Sequence, residues 1–257
     1  MTALSLVSFV GAGPGDPELI TLKALRRLRE AAVIVHDRLA PAELLEHVPA
    51  GAELIDAGKA PGRHCLGQAE INRLLVDRAR RRGRVVRLKG GDPGVFGRLA
   101  EEVAAVRAAG VRFEIVPGVT AAMAVAARAG ISLTDRDRAS TVTLVTGSAH
   151  GDGELPALDW EALARGRGTL AFYMAVSALP AVADTLTALG RDAREAALVV
   201  ERCGGPDERI VAGRLGDIAE RARRAGVRPP ALLLVGPTVA AASAPITVRH
   251  VAAAAAP

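Results

Sequence analysis

Two adjacent glycines followed by an acid mark the stretch of this sequence best suited to binding a small molecule. Gly90-Gly91-Asp92-Pro93 follows a β-branched and aliphatic run that begins at Arg84 and predicts a buried strand. Adjacent glycines permit positive φ angles and let a ligand approach the backbone with no Cβ in the way. Open α/β sheets bind small molecules at such loops, at the carboxyl ends of their strands. A plain strand-to-helix turn would explain the same residues, so this loop alone leaves both interpretations open.

A second glycine-rich loop lies near the start of the chain. Gly11-Ala12-Gly13-Pro14-Gly15-Asp16-Pro17 follows an apolar run from Leu4 to Val10. It begins like a dinucleotide-binding fingerprint, but Asp16 stands where the third glycine should be. Pro14 also removes one amide donor, and the Asp16 carboxylate would repel a pyrophosphate. The loop therefore predicts close approach of the backbone to a ligand that carries no phosphate.

Two further loops carry charged residues after predicted strands. Asp37 follows the strand predicted over 32–36, and the strand predicted over 53–57 leads into the basic, glycine-containing loop 58–64. A carboxylate at the end of a strand is well placed for chemistry, although many such aspartates only cap the next turn. Because all four loops follow strands of one parallel sheet, we expect them to meet at one edge.

The order of the predicted elements indicates two α/β domains. Residues 1–117 predict five strands with crossover helices, which is a parallel doubly wound sheet. Residues 118–240 predict a second α/β domain, whose sheet is mixed because 208–212 is expected to form a hairpin with 197–201. The alanine-rich tail 241–257 is expected to be disordered.

Composition limits the classes of partner. Half of the 257 residues are hydrophobic, aromatic residues are only 2%, and the net charge is +5. A basic balance fits nucleic acid, an anionic membrane or a polyanionic small substrate. The shortage of aromatic side chains for base stacking disfavours single-stranded nucleic acid. Only three of the 33 basic residues are lysines, which is also what a coding bias and solvated helix faces would produce.

Cysteine and hydropathy patterns favour a cytoplasmic protein without a metal. Cys65 and Cys203 form no CxxC pair, and no His/Cys cluster has metal-ligand spacing. A disulfide between them is not expected. The N-terminus lacks the pattern of a signal peptide, and no apolar run is long enough to predict a membrane span.

Several short motifs occur together in one order along the chain. They are Val10–Pro17, Asp37-Arg38-Leu39, Gly58-Lys59, Gln68-Ala69-Glu70-Ile71-Asn72, Arg87–Pro93, Phe96-Gly97-Arg98, Val116–Ala121 and Phe172-Tyr173-Met174. In these motifs the chain resembles the tetrapyrrole methylase family, over residues 4–240. The glycine motifs are typical of the whole family. The Asp-Arg-Leu, Gly-Lys and Gln-x-Glu-Ile-Asn combination is typical of its members that methylate uroporphyrinogen III.

The resemblance implies a methyl-transferring enzyme with its active site in the cleft between the two domains. S-adenosylmethionine would be the cofactor, leaving as S-adenosylhomocysteine, and methylation of uroporphyrinogen III at C2 and C7 would give precorrin-2. The residues implied to contact this cofactor are Pro14, Gly90, Gly91, Asp92, Val95, Thr120, Ala121, Met174 and, where the family has a glycine, Cys203. Because the sulfonium donor is cationic and carries no phosphate, it tolerates the acidic glycine loops.

The resemblance also assigns catalytic and substrate-binding roles. Asp37 would accept a proton and Lys59 would donate one, although Lys59 could equally pair with a substrate carboxylate. Arg98, Glu101 and Arg136 would face the polycarboxylate tetrapyrrole, for which arginine is well suited. From their loop positions alone, Arg38 and Arg63 are additional candidates.

Two residues depart from the family pattern. His36 replaces the usual tyrosine before the aspartate, and Cys203 replaces a glycine, which would tighten the adenosine pocket. The family also implies a homodimer. From the sequence itself we expect no nucleic-acid or membrane partner and no fused dehydrogenase/ferrochelatase or uroporphyrinogen-synthase module. The pathway stays open between sirohaem, cobalamin and haem d1.

Three other functions stay open on the sequence. They are a sister methylase that acts later in corrin synthesis, a non-catalytic tetrapyrrole-binding protein of the same fold, and a nucleic-acid methylase.

Overall fold

The computed structural model describes residues 5–58, 66–148 and 154–242. These fall into two compact units. The first runs to Ala124 and includes Cys203–Pro206, and the second comprises Val125–Arg202 and continues from Asp207. The division falls within helix α4 (Ala121–Arg128). The domain limits 1–117, 118–240 and 241–257 stay predictions from the sequence, and residues 243–257 lie outside the described ranges.

A five-stranded parallel sheet forms the first unit. Its strands are β1 (Leu6–Gly11), β2 (Val33–His36), β3 (Glu53–Asp56), β4 (Arg84–Lys89) and β5 (Arg112–Val116). Their spatial order is β3-β2-β4-β1-β5, and every neighbouring pair is parallel. β1 and β4, which precede the two glycine-rich loops, are therefore adjacent in the sheet.

Helices cover both faces of this sheet, so the predicted doubly wound arrangement is confirmed. Helix α1 (Leu22–Arg29) and a 3-10 helix (Ala42–His47) pack on one face. Helices α2 (Gln68–Arg82) and α3 (Leu99–Ala108) pack on the other. Within the described ranges, no helix is both long and apolar enough to cross a bilayer.

Local sequence signals set the ends of these helices. The Thr21 side chain accepts a hydrogen bond from the Ala24 amide and caps α1. The Gly67 amide donates to the Glu70 carboxylate at the start of α2, and α2 stops where Gly83 adopts a φ of +85°.

The second unit contains a mixed five-stranded sheet, as predicted. Its order is β6-β7-β10-β8-β9, in which only the β6–β7 pair is parallel. The strands are β6 (Val142–Thr146), β7 (Thr169–Tyr173), β8 (Ala196–Glu201), β9 (Arg209–Arg214) and β10 (Ala231–Val235). Helices α6 (Leu179–Ala188) and α7 (Ile218–Arg224) pack against it.

One helix of the second unit, α5 (Trp160–Arg165), is missing from the sequence-based prediction. Asp159 caps it, and the Trp160 ring stacks on Phe172 of β7. A six-residue helix has little periodicity of its own, so this packing stabilises it.

Glu114 ties edge strand β5 to the rest of the first unit. It accepts hydrogen bonds from Ser8 on β1 and from Arg27 on α1, and its carboxylate lies 3.0 Å from the Lys23 ammonium. Burial by itself raises the pKa of Glu114, but the hydrogen bonds from Arg27, Lys23 and Ser8 outweigh it and lower the pKa to about 2.

We expect this carboxylate to stabilise the fold above its ordinary pKa of 4.5 and to lose that effect as the pH falls towards about 2. Glu114→Gln should therefore be less stable than the parent in urea unfolding at pH 7, and the difference should shrink below pH 4.5. Glu46→Gln, at an exposed site, is the control. A difference independent of pH would show that ionisation of Glu114 contributes nothing.

Candidate active site

The register of the parallel sheet aligns the carboxyl ends of its strands. Gly11 at the end of β1 pairs with Lys89 at the end of β4. His36 at the end of β2 pairs with Leu88 of β4 and with Asp56 of β3. The loops that follow therefore leave the sheet from one edge, as the sequence predicts.

Three of these loops meet backbone to backbone. Gly13 and Gly91 exchange two hydrogen bonds, with N···O distances of 3.2 and 2.7 Å. A Cβ on Gly118, in the loop after β5, would lie 2.3 Å from the Gly91 oxygen and 2.8 Å from the Gly11 Cα. No side chain fits at these distances, so position 118 requires glycine. We call this meeting of Gly11, Gly13, Gly91 and Gly118 the glycine junction.

Asp92 fastens the glycine junction. Its Oδ2 accepts a hydrogen bond from the Gly118 amide at 3.0 Å, and its Oδ1 accepts one from the Gly94 amide at 2.7 Å. The carboxylate predicted to contact the cofactor therefore also holds the loop after β5 against the loop after β4.

The loops after β2, β3 and β4 also lie against one another. A Cβ on Gly58 would lie 2.8 Å from the Cβ of Arg38, and one on Gly90 would lie 2.8 Å from the Cβ of Leu39. The Asp37-Arg38-Leu39 motif is therefore held between Gly58 and Gly90.

A segment distant in sequence packs on the loop after β1. The carbonyl oxygen of Cys203 would lie 2.5 Å from a Cβ on Gly15, which has a φ of +144°. Cys203 is buried and belongs to the first unit. The departure from the family pattern at position 203 therefore lies beside the predicted cofactor loop, while Cys65 lies outside the described residues.

Four described residues other than glycine have a left-handed backbone. They are Phe96, Arg98, Met174 and Arg202, with φ between +49° and +55°. Arg98 and Met174 were predicted site residues, and Arg202 precedes Cys203. Strained backbone of this kind concentrates at functional sites, and nothing in the sequence marks it.

Most residues predicted to contact the cofactor lie in three loops of the first unit or at the start of α4. They are Pro14 after β1, Gly90, Gly91, Asp92 and Val95 after β4, and Thr120 and Ala121 after β5. Met174 belongs to the second unit, where it directly follows β7 and is exposed.

Two of the residues predicted to bind substrate pair with each other. The Arg98 guanidinium donates two hydrogen bonds of 2.8 Å to the Glu101 carboxylate, and both side chains are at least half exposed. The hydrogen bond from Arg98 lowers the pKa of Glu101. Arg136 is exposed at the tip of a turn in the second unit.

Of the predicted catalytic pair, Asp37 is described and Lys59 lies outside the described residues, as does Arg63. Asp37 follows β2, and its side chain is 32% exposed. Its Oδ1 accepts a 2.5 Å hydrogen bond from Arg87 of β4.

Arg87 belongs to a buried charged cluster that sequence reasoning missed. Arg87, Lys89 and Glu102 of α3 are each at most 3% exposed and bonded to one another through Glu102. Two signals were present. Arg87 and Lys89 share the core-facing side of β4 with Val85, and Glu102 occupies the inner face of α3 with Val106.

No group of three or more His, Cys, Asp or Glu side chains in the described ranges could hold a metal ion. The described part of the site consists of backbone loops, arginines and the carboxylates of Asp37, Asp92 and Glu101. Such an arrangement can bind and orient a reactant and can accept a proton.

Residues 6–219 match the family model of tetrapyrrole (corrin/porphyrin) methylases. The chain belongs to this family. The resemblance inferred from its motifs is thereby confirmed.

Individual members of the tetrapyrrole methylase family are similar over nearly the whole chain. A S-adenosyl-L-methionine-dependent uroporphyrinogen III methyltransferase from Methanosarcina barkeri is 46% identical over 91% of both chains. A siroheme synthase from Gluconacetobacter diazotrophicus is 47% identical over 91% of this chain and 49% of its own length. The chain thus spans about half the length of the siroheme synthases that it matches.

Solved structures of family members share the fold. Uroporphyrin-III C-methyl transferase from Thermus thermophilus, complexed with S-adenyl homocysteine, is 45% identical, with a TM-score of 0.78 over 91% of this chain and 98% of its own. Cobalt precorrin-4 methyltransferase is 31% identical, with a TM-score of 0.82 over 91% of this chain and 96% of its own.

The glycine junction generates a direct test. Gly118→Ala should lower the free energy of unfolding by about 1–3 kcal/mol, because the added methyl group has no room between the loops. Gly51→Ala is the control, since a Cβ there meets no atom within 4 Å. Its effect should stay within about 0.5 kcal/mol. Equal unfolding curves for the two variants in urea would show that the loops do not pack as described.

Proposed function

We propose that this protein is an S-adenosylmethionine-dependent methyltransferase that methylates uroporphyrinogen III at C2 and C7 and forms precorrin-2. The observation that carries the proposal is the match to the Methanosarcina barkeri enzyme across 91% of both chains. The chemistry of the described loops and side chains supports it.

The loops of the first unit fit a cationic methyl donor better than a phosphate. Asp16 and Asp92 both lie in the glycine-rich loops, and each carboxylate accepts a backbone hydrogen bond. Bound S-adenosylmethionine would supply an electrophilic methyl group to the electron-rich pyrrole carbons. The residues proposed to hold it are the nine predicted from the sequence, of which Asp92 and Cys203 also fix the loops themselves.

Methyl transfer of this kind depends on placement of the reactants and exclusion of water. The glycine junction and the Leu39–Gly90 contact provide rigid backbone at the carboxyl edge of the sheet. Asp37 is proposed to take the proton that leaves the macrocycle, because it is a part-exposed carboxylate at that edge. Lys59 is proposed as the proton donor.

Arginine side chains are proposed to recognise the carboxylates of the tetrapyrrole. The Arg98 guanidinium already holds a carboxylate with two parallel hydrogen bonds, that of Glu101. A substrate carboxylate presents the same geometry, so it could replace Glu101 as the partner. Arg136, exposed at the tip of its turn, is proposed to act in the same way.

The finer features of the assembly are also proposals. We propose a homodimer, as the family resemblance implies. From the cysteine, hydropathy and composition patterns we also propose that it is cytoplasmic and binds no nucleic acid or membrane. The active site is proposed to lie between the two domains, which is also what the family resemblance implies.

A second candidate is methylation of a later precorrin. The likeness to cobalt precorrin-4 methyltransferase, with a TM-score of 0.82, favours it, although the identity is only 31%. The higher identity to uroporphyrinogen III enzymes favours the first candidate.

The deciding experiment is a methylation assay that offers uroporphyrinogen III or a later precorrin in separate reactions. We expect the dimethylated product from uroporphyrinogen III, with two S-adenosylhomocysteines released for each product. Turnover of only the later precorrin would support the second candidate. Absence of S-adenosylmethionine binding in calorimetry would indicate a non-catalytic protein, and salt-sensitive RNA binding would indicate a nucleic-acid methylase.

Arg98→Ala should weaken binding of the substrate without weakening binding of the methyl donor. We expect KM for uroporphyrinogen III to rise about tenfold, because a charged hydrogen bond is lost, while Kd for S-adenosylmethionine changes less than about twofold. Arg165→Ala is the matched control, since Arg165 forms a similar exposed ion pair, with Glu161, on a helix of the second unit. An equal loss of donor affinity in Arg98→Ala would show that Arg98 does not act on the substrate.

A further inference from the structure

The buried cluster beside Asp37 has charges that the proposed reaction does not use directly. Side chains alternate along a strand, so Val85, Arg87 and Lys89 face helices α2 and α3. The Val85 side chain packs in the apolar core, whereas Arg87 and Lys89 place cations there. A buried charge is unfavourable unless it is paired, so each cation requires an anionic partner.

Glu102 is the central anion of this cluster. Its carboxylate, fully buried on α3, accepts hydrogen bonds from Lys89 Nζ at 2.9 and 3.0 Å and from Arg87 Nε at 3.0 Å. Gln68 of α2 donates a further one at 3.3 Å. Burial, together with the Arg87 cation, lowers the pKa of Lys89, and the Glu102 charge opposes that shift.

Arg87 reaches from this buried anion to the surface of the site. Its Nε contacts Glu102, its Nη1 donates to the Val35 carbonyl at 3.3 Å, and its Nη2 donates to Asp37 Oδ1 at 2.5 Å. All three guanidinium nitrogens are therefore engaged, and the planar group cannot rotate without breaking bonds to β2 and α3. A lysine has one ammonium nitrogen in place of this planar fork, so we expect it to bond to only one of the two carboxylates.

The positive and negative charges of the cluster are equal in number. Arg87 and Lys89 provide two cations, and Glu102 and Asp37 provide two carboxylates. Glu102 alone cannot neutralise both cations, so the second negative charge comes from Asp37. Arg87 holds Oδ1 of Asp37, and we expect Oδ2 to interact with the reactant.

We propose that Arg87 is a positioning residue that fixes the Asp37 carboxylate in one orientation by bridging it to the buried Glu102. This inference rests on the proposed function, in which Asp37 accepts the proton. Because Arg87 is only 2% exposed, we expect it to act on turnover through Asp37 and not by contact with a reactant.

A double-mutant cycle tests this coupling. Arg87→Gln should lower kcat for uroporphyrinogen III methylation about 10- to 100-fold, because a misplaced acceptor reacts slowly. KM and the Kd for S-adenosylmethionine should change less than about twofold, measured by steady-state kinetics and calorimetry. In an Asp37→Asn background, the same Arg87→Gln change should have almost no further effect on kcat, measured by the same steady-state kinetics.

Two further variants distinguish the bridging geometry of Arg87 from its positive charge. Arg87→Lys keeps the cation but cannot bridge the two carboxylates, so it should not restore kcat. Arg84→Gln removes an exposed arginine from the opposite end of β4, where it pairs with Glu30, and should leave kcat unchanged.

The outcomes show whether the positioning role of Arg87 fails by itself or together with the proposed proton-acceptor role of Asp37. If Asp37→Asn keeps full kcat, the proton-acceptor role fails, and the positioning role fails with it. Suppose instead that Asp37→Asn lowers kcat. The positioning role alone is then overturned if Arg87→Gln leaves kcat unchanged, or if Arg87→Gln lowers kcat by the same factor in the parent and in the Asp37→Asn background. Restoration of kcat by Arg87→Lys would also overturn it. Failure of both Arg87 variants to fold would assign Arg87 to stability alone.

Discussion

Backbone contact between the loops after β1, β4 and β5 is the constraint on which the site depends. At the glycine junction the Gly91 carbonyl occupies the space that side chains at positions 11 and 118 would need. This packing brings three segments, separated by up to about a hundred residues in sequence, to one edge of the sheet. A backbone surface without side chains offers a ligand hydrogen-bonding groups at close range, and the Asp92 carboxylate keeps that surface in register.

Beneath this backbone surface lies a second constraint, which is electrostatic. The end of β4 places Arg87 and Lys89 in the core, where the fully buried Glu102 holds both. A hydrophobic core would have stabilised the fold at least as well, since buried ion pairs add little net stability. The cluster instead links α3 to the loop after β2, and Asp37 lies at its outer end. The chain belongs to the tetrapyrrole methylase family, and the proton-acceptor role proposed for Asp37 would give this arrangement its use.

Much of the architecture follows from local pattern. Apolar runs ended by glycine, such as Leu4 to Val10 before Gly11, predict buried parallel strands, and Thr21 predicts the start of a helix that the structure contains. The short helix Trp160–Arg165 escaped prediction because tertiary packing against Phe172 stabilises it. Leu22, at the first turn of α1, is 79% exposed, which its apolar side chain would not predict.

The amino-acid sequence by itself determined the α/β class, the type of each sheet, the family and the loops that are proposed to form the site. These depend on local propensities, on alternation of apolar residues and on glycine motifs, all of which are contiguous in the chain. Only the tertiary structure decided which groups those loops bring together: the Gly13–Gly91 pairing, the bridge from Asp92 to Gly118, and the partners of Arg87. The reason is physical, since strand order and register set the distance between residues far apart in sequence, and local pattern contains neither.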